Sequence, residues 1–519
     1  MSISEDIPQC CGRDMHRRGY TAAGAQRWCC SGCGRRTTNR DDSSKEHAGF
    51  DTVAAAAYAE QIRAAVKAGQ QTFVVTCAAN NSPLAHSAWN ALQQVVRHRQ
   101  AMLMVVPVHY KNVSLYTGSQ AYNKYWTRQV NDYLINESIY LGGGIEVRAD
   151  VRIQATSLFP LAGKQAIGGR RWTIFGHPQL ALDSVAAPAN REPKRCYTTG
   201  AITRPCYSQT DVGAKAAFHH TTAALLVEVS GNRCWVRQLH ADSKGAIYDL
   251  EHKYTASGWT SGHRVTAITL GDEHVKFMSP SVKSATFTAR DSMLNVLRPR
   301  HLVRHDVLDG YAGSHHHLKD FRIAARKYWH GDCDYRAELD QAVAHINKTT
   351  PQGCISVIVP SNHHDHLQQW VQRADDRIDP QNAELICELR RAQHQAARNG
   401  EMADAFELYV KPRLKCQAVF LDRNQPFLLH DVDHSQHGDV GINGSRWSDR
   451  AAARTTYKIS KGHSHVESIE KSVYSAGQSC GHLEYQKGLG SHTNAHIVLY
   501  PNGKRCIVAI RGRRWRGKN

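Results

Sequence analysis

No run of about 18 consecutive apolar residues occurs in the chain, so no segment is expected to span a membrane. Met1 to Pro8 is polar and acidic and lacks the basic-then-apolar order of an export signal. No internal repeat is visible. The 15 cysteines are odd in number and mostly scattered, which argues against a disulfide framework. Together these absences read as a reduced, cytosolic protein with no membrane partner.

Acidic residues are also in short supply: 46 Asp and Glu stand against 65 Lys and Arg, a formal charge of +19. Such an excess points to a polyanionic partner, because each neutralised phosphate releases condensed counterions. What the chain has in abundance is histidine, 31 residues, many beside Asp, Asn or Gly, as metal chemistry uses them. Its 519 residues, 41% of them hydrophobic, can bury sizeable cores in roughly two to four domains.

Four regions separate by texture. Residues 1–39 are rich in Cys, Gly and Arg, and residues 40–69 read as a polar linker followed by a helix with Val53, Ala57, Ile62 and Val66 on one face. Residues 70–264 form an α/β accessory domain. It opens with a βαβ pattern (Phe73 to Val75, a helix from Pro83, Met102 to Val106) and includes a hairpin around Gly231-Asn232. Residues 265–519 alternate strand candidates with His- and Asp-rich loops, interrupted by a long helical stretch near Asn382 to Val410 with Gly400 as a break.

Five clusters in the last region follow strand-like runs, where loop residues can converge on one sheet edge. "VTAITLGDEH" carries Asp272 and His274. "HLVRHDVLDG" carries Asp306, with Asp309 behind it. "CISVIVPSNHHDH" carries Asn362 and His363. "PFLLHDVDHSQHGDVG" offers His430, His434 and His437, and "KGHSHV" carries His463 and His465. Any one cluster alone is weak, since an isolated Asp-x-His is ordinarily structural; the argument lies in their order.

That order resembles the calcineurin-like metallophosphoesterase superfamily, whose boxes read DxH, GDxxD, GNHD/E, a single His and GHxH. The resemblance runs from about Val265 to Ala509. It implies a metallophosphoesterase β-sandwich flanked by helices, preceded by the α/β domain, and two divalent metal ions. One ion would be held by Asp272, His274 and His465, the other by Asn362, His437 and His463, with Asp306 bridging; His363 would contact the scissile phosphate. A bridging carboxylate keeps two such ions about 3.5–4 Å apart, where both polarise phosphate oxygens, and the mixed N/O donors suit Mn²⁺, Fe or Zn²⁺ better than Mg²⁺ or Ca²⁺. Three departures stand out. His305 occupies the place of the family's Gly before the bridging Asp. His364 follows His363, leaving Asp365 one place late. Three histidines compete in the fourth box, where His437 has the family's His-Gly context and His430 ends the strand-like run.

At the N-terminus, "CCGRDMHRRGYTAAGAQRWCCSGCGRRTT" resembles the zinc ribbons that open insertion-sequence transposase proteins. The likeness implies a structural zinc held by Cys11, Cys30 and Cys33 with Cys10 as fourth ligand; His16 and Cys29 are alternatives for that last place, because the first pair is not Cys-x-x-Cys. A bound zinc is what lets so short a segment fold.

The superfamily includes phosphatases, nucleotidases, cyclic-nucleotide phosphodiesterases and DNA exonucleases of the SbcD type. Positive charge, the zinc ribbon and the accessory domain favour the nuclease branch. The strings "TTGAITRPCYS", "GAKAAFHHTTAALLVEV", "HGDVGINGSRW" and "SHTNAHIVLYPNGKRCIV" are similar to a phage family that includes the pre-early host-DNA-degrading protein of T-five-like phages. That likeness implies a Mn²⁺-dependent deoxyribonuclease acting on double-stranded DNA in the host cytoplasm, expected to be a homo-oligomer whose middle domain guides DNA or forms the interface. The competing readings are a phosphatase or nucleotide phosphodiesterase with the same metals, and a DNA-binding protein with a vestigial site.

Overall fold

The computed structural model describes residues 9–10, 13–20, 26–33, 36–38, 47–110, 125–188, 191–314, 320–445, 447–483 and 486–517. They form a mixed α/β protein, as the sequence leads one to expect, with helices between and around several sheets. Among the described residues no helix is long and apolar enough to cross a membrane.

The first helix, Thr52–Lys67, is capped by Asp51, whose carboxylate accepts from the Val53 and Ala54 amides. Its buried stripe is Ala55, Ala59 and Ile62, while Val53 and Ala57 face solvent. The face is thus rotated from the expected one. Alanines at the contact let the backbone lie close to the core that Ala59 and Ile62 share with Phe73 and Val75.

Strand Thr72–Ala79, helix His86–His98 and strand Met102–Val108 make the βαβ unit, the two strands pairing in parallel from Phe73↔Met102 to Ala79↔Val108. Every residue of Thr72–Ala79 is buried, as an interior strand covered on both faces requires. The hairpin Ala223–Ser230 and Arg233–His240 pairs Ser230 with Arg233 across Gly231 and Asn232. Gly231 has φ +59°, which a primed two-residue turn demands. This hairpin joins Thr72–Ala79 edge to edge and completes a four-stranded sheet.

A ten-stranded sheet draws its strands from both sides of residue 265. Ser138–Gly142, Ile145–Arg148, Trp172–Phe175, Lys194–Thr198 and Leu182–Val185 come from before it; Ser468–Glu470, Val473–Ser475, Lys458–Lys461, Val432–Asp433 and Leu428–Leu429 come from after it. The seam is the pair Leu182↔Ile469. A six-stranded sheet runs in the order Ala418–Phe420, Ile355–Ile358, His301–Arg304, Ala267–Thr269, Ala495–Leu499, Arg505–Ala509. Its first four strands are parallel and the last two antiparallel. One buried cluster links all three sheets: it holds Phe73 and Leu225, then Ile174, Tyr197 and Tyr474, then Ala495, Ile497 and Ile507.

The helical stretch after residue 382 is two helices, Ala383–Arg398 and Ala405–Val410, with Gly400 at φ +77° between them. Near the N-terminus, His16–Tyr20, Gln26–Cys29 and Arg36–Thr38 form a small antiparallel sheet. Met15, Trp28 and Cys30 make its buried cluster.

Candidate metal centre

The parallel strands of the six-stranded sheet all deliver their C-terminal ends to one edge, where loop residues of α/β proteins gather. Asp272 and His274 follow Ala267–Thr269, Asp306 follows His301–Arg304, and Asn362 follows Ile355–Ile358. Ser361 caps the helix Asn362–Arg373, accepting from the His364 amide, so Asn362 and His363 sit on its first turn. From the ten-stranded sheet, Val432–Asp433 and Lys458–Lys461, paired in parallel, bring up His437, His463 and His465.

These side chains meet. His274 Nε2 lies 3.2 Å from His465 Nε2 and 3.7 Å from Asp306 Oδ2. His465 Nε2 is 3.1 Å from Asp272 Oδ2. His437 Nε2 is 3.1 Å from Asn362 Oδ1 and 3.2 Å from Asp306 Oδ2. Asp306 therefore stands between the two sets, and His363 Nε2 approaches its Oδ2 to 4.0 Å. His463 sits at the rim with its ring 5.0 Å from that of His437.

The backbone is bent to achieve this. His274, Asp306, His463 and His465 have φ of +38°, +46°, +70° and +58°, a region that costs a non-glycine residue about 1–3 kcal/mol. The bends are held by backbone bonds between loops, the His274 amide donating to the Asp306 carbonyl at 2.8 Å and the Glu273 amide to the His305 carbonyl at 3.0 Å. A Cβ on Gly462 would strike Asp272 Oδ1, which explains the glycine before His463.

Burial pushes the Asp306 carboxyl up, but His437 and His363 more than reverse that and hold it well below the carboxylate range. Asp272 is likewise buried, and likewise held low by His465 and His437. In return, Asp306 and Asp272 overcome the burial of His437 and push its imidazole up to about 9. His363 is raised, against burial, by Asp306 and Asp309. The carboxylates thus make a field that favours positive charge, which an imidazolium or a cation can supply.

Residues of this kind fit a metal ion. Both oxygens of Asp272, Oδ1 of Asp306 and Nε2 of His305 are buried without a well-directed hydrogen bond, and buried polar atoms ordinarily have one. Asp272 with His305 and His437, and His274 with Asp306 and His465, are groups whose donor atoms lie within 4.8 Å of one another. Asp309 orients two neighbours: its carboxylate lies 2.9 Å from His274 Nδ1 and its carbonyl accepts from His363 Nδ1 at 2.5 Å. Metal-binding imidazoles characteristically give their second nitrogen to such partners.

Of the three histidines in the fourth box, only His437 reaches the cluster. His430 is exposed, with Nε2 3.2 Å from Thr266 Oγ1, and buried His434 places Nδ1 2.9 Å from Thr269 Oγ1. Asp365 turns to Arg423 at 2.5 Å, while His364 stacks on Phe406 with ring centroids 4.1 Å apart. Two further contributors are named in the sequence analysis without a role. Asp309 was signalled by its place three residues after Asp306. His305, read as a departure from a glycine, is fully buried with Nδ1 3.4 Å from His437 Nδ1.

A cleft of 590 Å³ is lined by Asp306, Asn362, His363, His463 and His465, with Phe277 and Tyr311 on its wall. Of the zinc candidates, the Cys11 residue and the Cys10 side chain lie outside the described residues. Cys30 is buried, its sulfur accepting from the Gly32 amide at 3.4 Å, and Cys33 is exposed.

The molecule is thus an α/β protein whose histidine and aspartate groups could hold a metal ion. It is similar to Protein A1 of Escherichia phage T5, with 28% identity over 460 residues that cover 85% of this chain and 82% of that protein. No protein-family model matches the chain, and no solved structure does.

Proposed function

We propose that this protein is a metallophosphoesterase of the nuclease type, hydrolysing DNA backbone phosphodiesters with two divalent ions, Mn²⁺ first among them. The observation that supports it most is the convergence of Asp272, His274, Asp306, Asn362, His437 and His465, of which Asp306, Asn362 and His465 line one cleft, with Oδ1 of both Asp272 and Asp306 buried and unsatisfied. The ions would be held as the sequence reading divides them, and when bound would supply Lewis acidity and an acidified water.

The chain's own residues do the rest. The Asp309 carbonyl accepts a hydrogen bond from His363 Nδ1, so His363 turns Nε2 into the cleft, where in its protonated form it can donate to a phosphate oxygen or protonate the leaving oxygen. The Asp309 carboxylate fixes His274 in the same way. DNA as substrate is supported by the +19 charge and by the cysteine-rich N-terminal sheet, for which a structural zinc is proposed. Likeness to a phage T5 protein supports a phage-encoded protein, and the degradation of DNA in the host cytoplasm early in infection is what the sequence resemblance implies.

Cleavage of linear and circular duplex DNA with Mn²⁺, Mg²⁺ or EDTA, beside Asp306→Ala and His363→Ala, tests this. Mn²⁺-supported cutting should fall at least about 10²-fold in His363→Ala and vanish in Asp306→Ala. If wild type is inert on DNA yet splits phosphomonoesters or nucleotides, the phosphatase reading replaces this one.

A further inference from the structure

The helix Phe321–His330 is unusually bare. Phe321, Tyr328 and Trp329 are 80%, 69% and 81% exposed, although aromatic clusters of this kind are ordinarily covered. The helix contains Arg322, Arg326, Lys327 and His330 and no acidic residue; its cap, Asp320, pairs with Arg322 at 2.8 Å. Seven-residue spacing places Phe321 in line with Tyr328 and Arg322 in line with Trp329, so exposed rings and a cation share one face of the helix. The Tyr328 and Trp329 rings stand edge to face, 5.5 Å apart.

This surface adjoins the metal centre. Lys327, on the buried side, donates Nζ to the carbonyls of Tyr311 and Ala312 at 2.5 and 2.8 Å, and Arg326 donates to the Tyr311 hydroxyl at 2.8 Å. Tyr311 packs edge-on against Phe277 at 5.1 Å, and both line the cleft that holds Asp306 and His363. The helix is therefore pinned to the cleft wall with its aromatic stripe turned outward.

We propose that the helix Phe321–His330 holds single-stranded DNA at the mouth of the cleft, Tyr328 and Trp329 stacking on unpaired bases while Arg322 and His330 follow the phosphates. Bases inside a duplex are already stacked, so exposed rings find partners only on an unpaired strand. Cationic residues alongside them match a polyanion rather than an apolar protein face. The inference rests on the DNA phosphodiesterase reading, since it places the strand at that site.

The test uses the full chain, wild type, Tyr328→Ala/Trp329→Ala and Trp329→Phe. Binding of labelled oligo-dT is measured in EDTA, and hydrolysis of oligo-dT and of bis(p-nitrophenyl) phosphate in Mn²⁺. In the double variant, oligo-dT affinity should fall about tenfold or more, and the ratio of oligo-dT to small-ester hydrolysis should fall with it. Trp329→Phe should keep most of both. Unchanged oligo-dT affinity in the double variant overturns the proposal, as does a changed sedimentation coefficient with unchanged affinity, which would mark an interface between copies. If wild type hydrolyses neither substrate, the phosphodiesterase reading falls, while the binding loss still decides the helix.

Discussion

Among the buried charge clusters of the described residues, two are built on opposite rules. In the middle region Arg237 sits between Glu228 and Asp249, giving Nη1 to Glu228 and Nε to Asp249, each at 2.6 Å. Arg99 adds a bond to Asp249 at 2.5 Å, and the Gly517 amide donates to Glu228 at 2.7 Å. Each carboxylate oxygen there accepts a bond. At the candidate metal centre the carboxylates are as deeply buried, yet Oδ1 of Asp272 and Oδ1 of Asp306 accept none, and Asp272 Oδ2 meets only the His465 imidazole at 3.1 Å. A saturated cluster has spent its bonding capacity on the fold. An unsaturated one stores cost, in desolvation and in bent backbone, that a ligand can offset.

The largest contrast should come from the saturated cluster. Arg237→Ala leaves two buried carboxylates without their main partner and is expected to lower stability by about 3–5 kcal/mol, read by urea denaturation, while metal uptake per folded molecule is unchanged. Loss of metal uptake at full stability would reverse the two roles.

Acid should weaken the fold that carries these clusters. Buried His177, His434 and His496 are held neutral by desolvation, with pKa values pushed down to about 4, about 3 and about 4. The unfolded chain takes up protons at these residues below about pH 6.5, and the folded one does not. Stability is therefore full above that pH and falls as pH drops toward the folded values, by up to about 2 kcal/mol per histidine at pH 5. Melting temperatures should decline from pH 7 to pH 5, and a flat profile would contradict the neutral assignment.

The finest test concerns His305. Replacing it by Gly removes the contact to His437 Nδ1. Affinity for Mn²⁺, measured by calorimetry, should fall about 10–100-fold. Equal affinity would make His305 mere filling.

Much of this was legible in the chain itself. The βαβ unit and the hairpin were written in β-branched runs and Gly231-Asn232, local signals that tertiary packing did not override. The candidate ligands could be read because each sits just past a strand, where position along the chain maps onto one sheet edge. What could not be read depends on contacts between distant segments. His437 rather than His430 meets Asp306 and Asn362 because of where Val432–Asp433 pairs with Lys458–Lys461. The buried face of Thr52–Lys67 was set by the closeness of the sheet beneath it, not by the most apolar stripe. The joining of strands from both halves in one sheet leaves no local trace, since a strand does not name its partner.

That seam has a consequence in time. Ser184 donates to the Glu467 carbonyl at 2.9 Å across 283 residues of chain, beside the pair Leu182↔Ile469. At a ribosomal pace of roughly 5–20 residues per second, the later strand emerges on the order of 15–60 s after the earlier one. Throughout that wait Leu182–Val185 presents an unsealed edge, able to pair with a neighbouring nascent copy. Synthesis arrested before residue 468 leaves that edge without its own partner, and such fragments should depend on chaperones to stay dispersed.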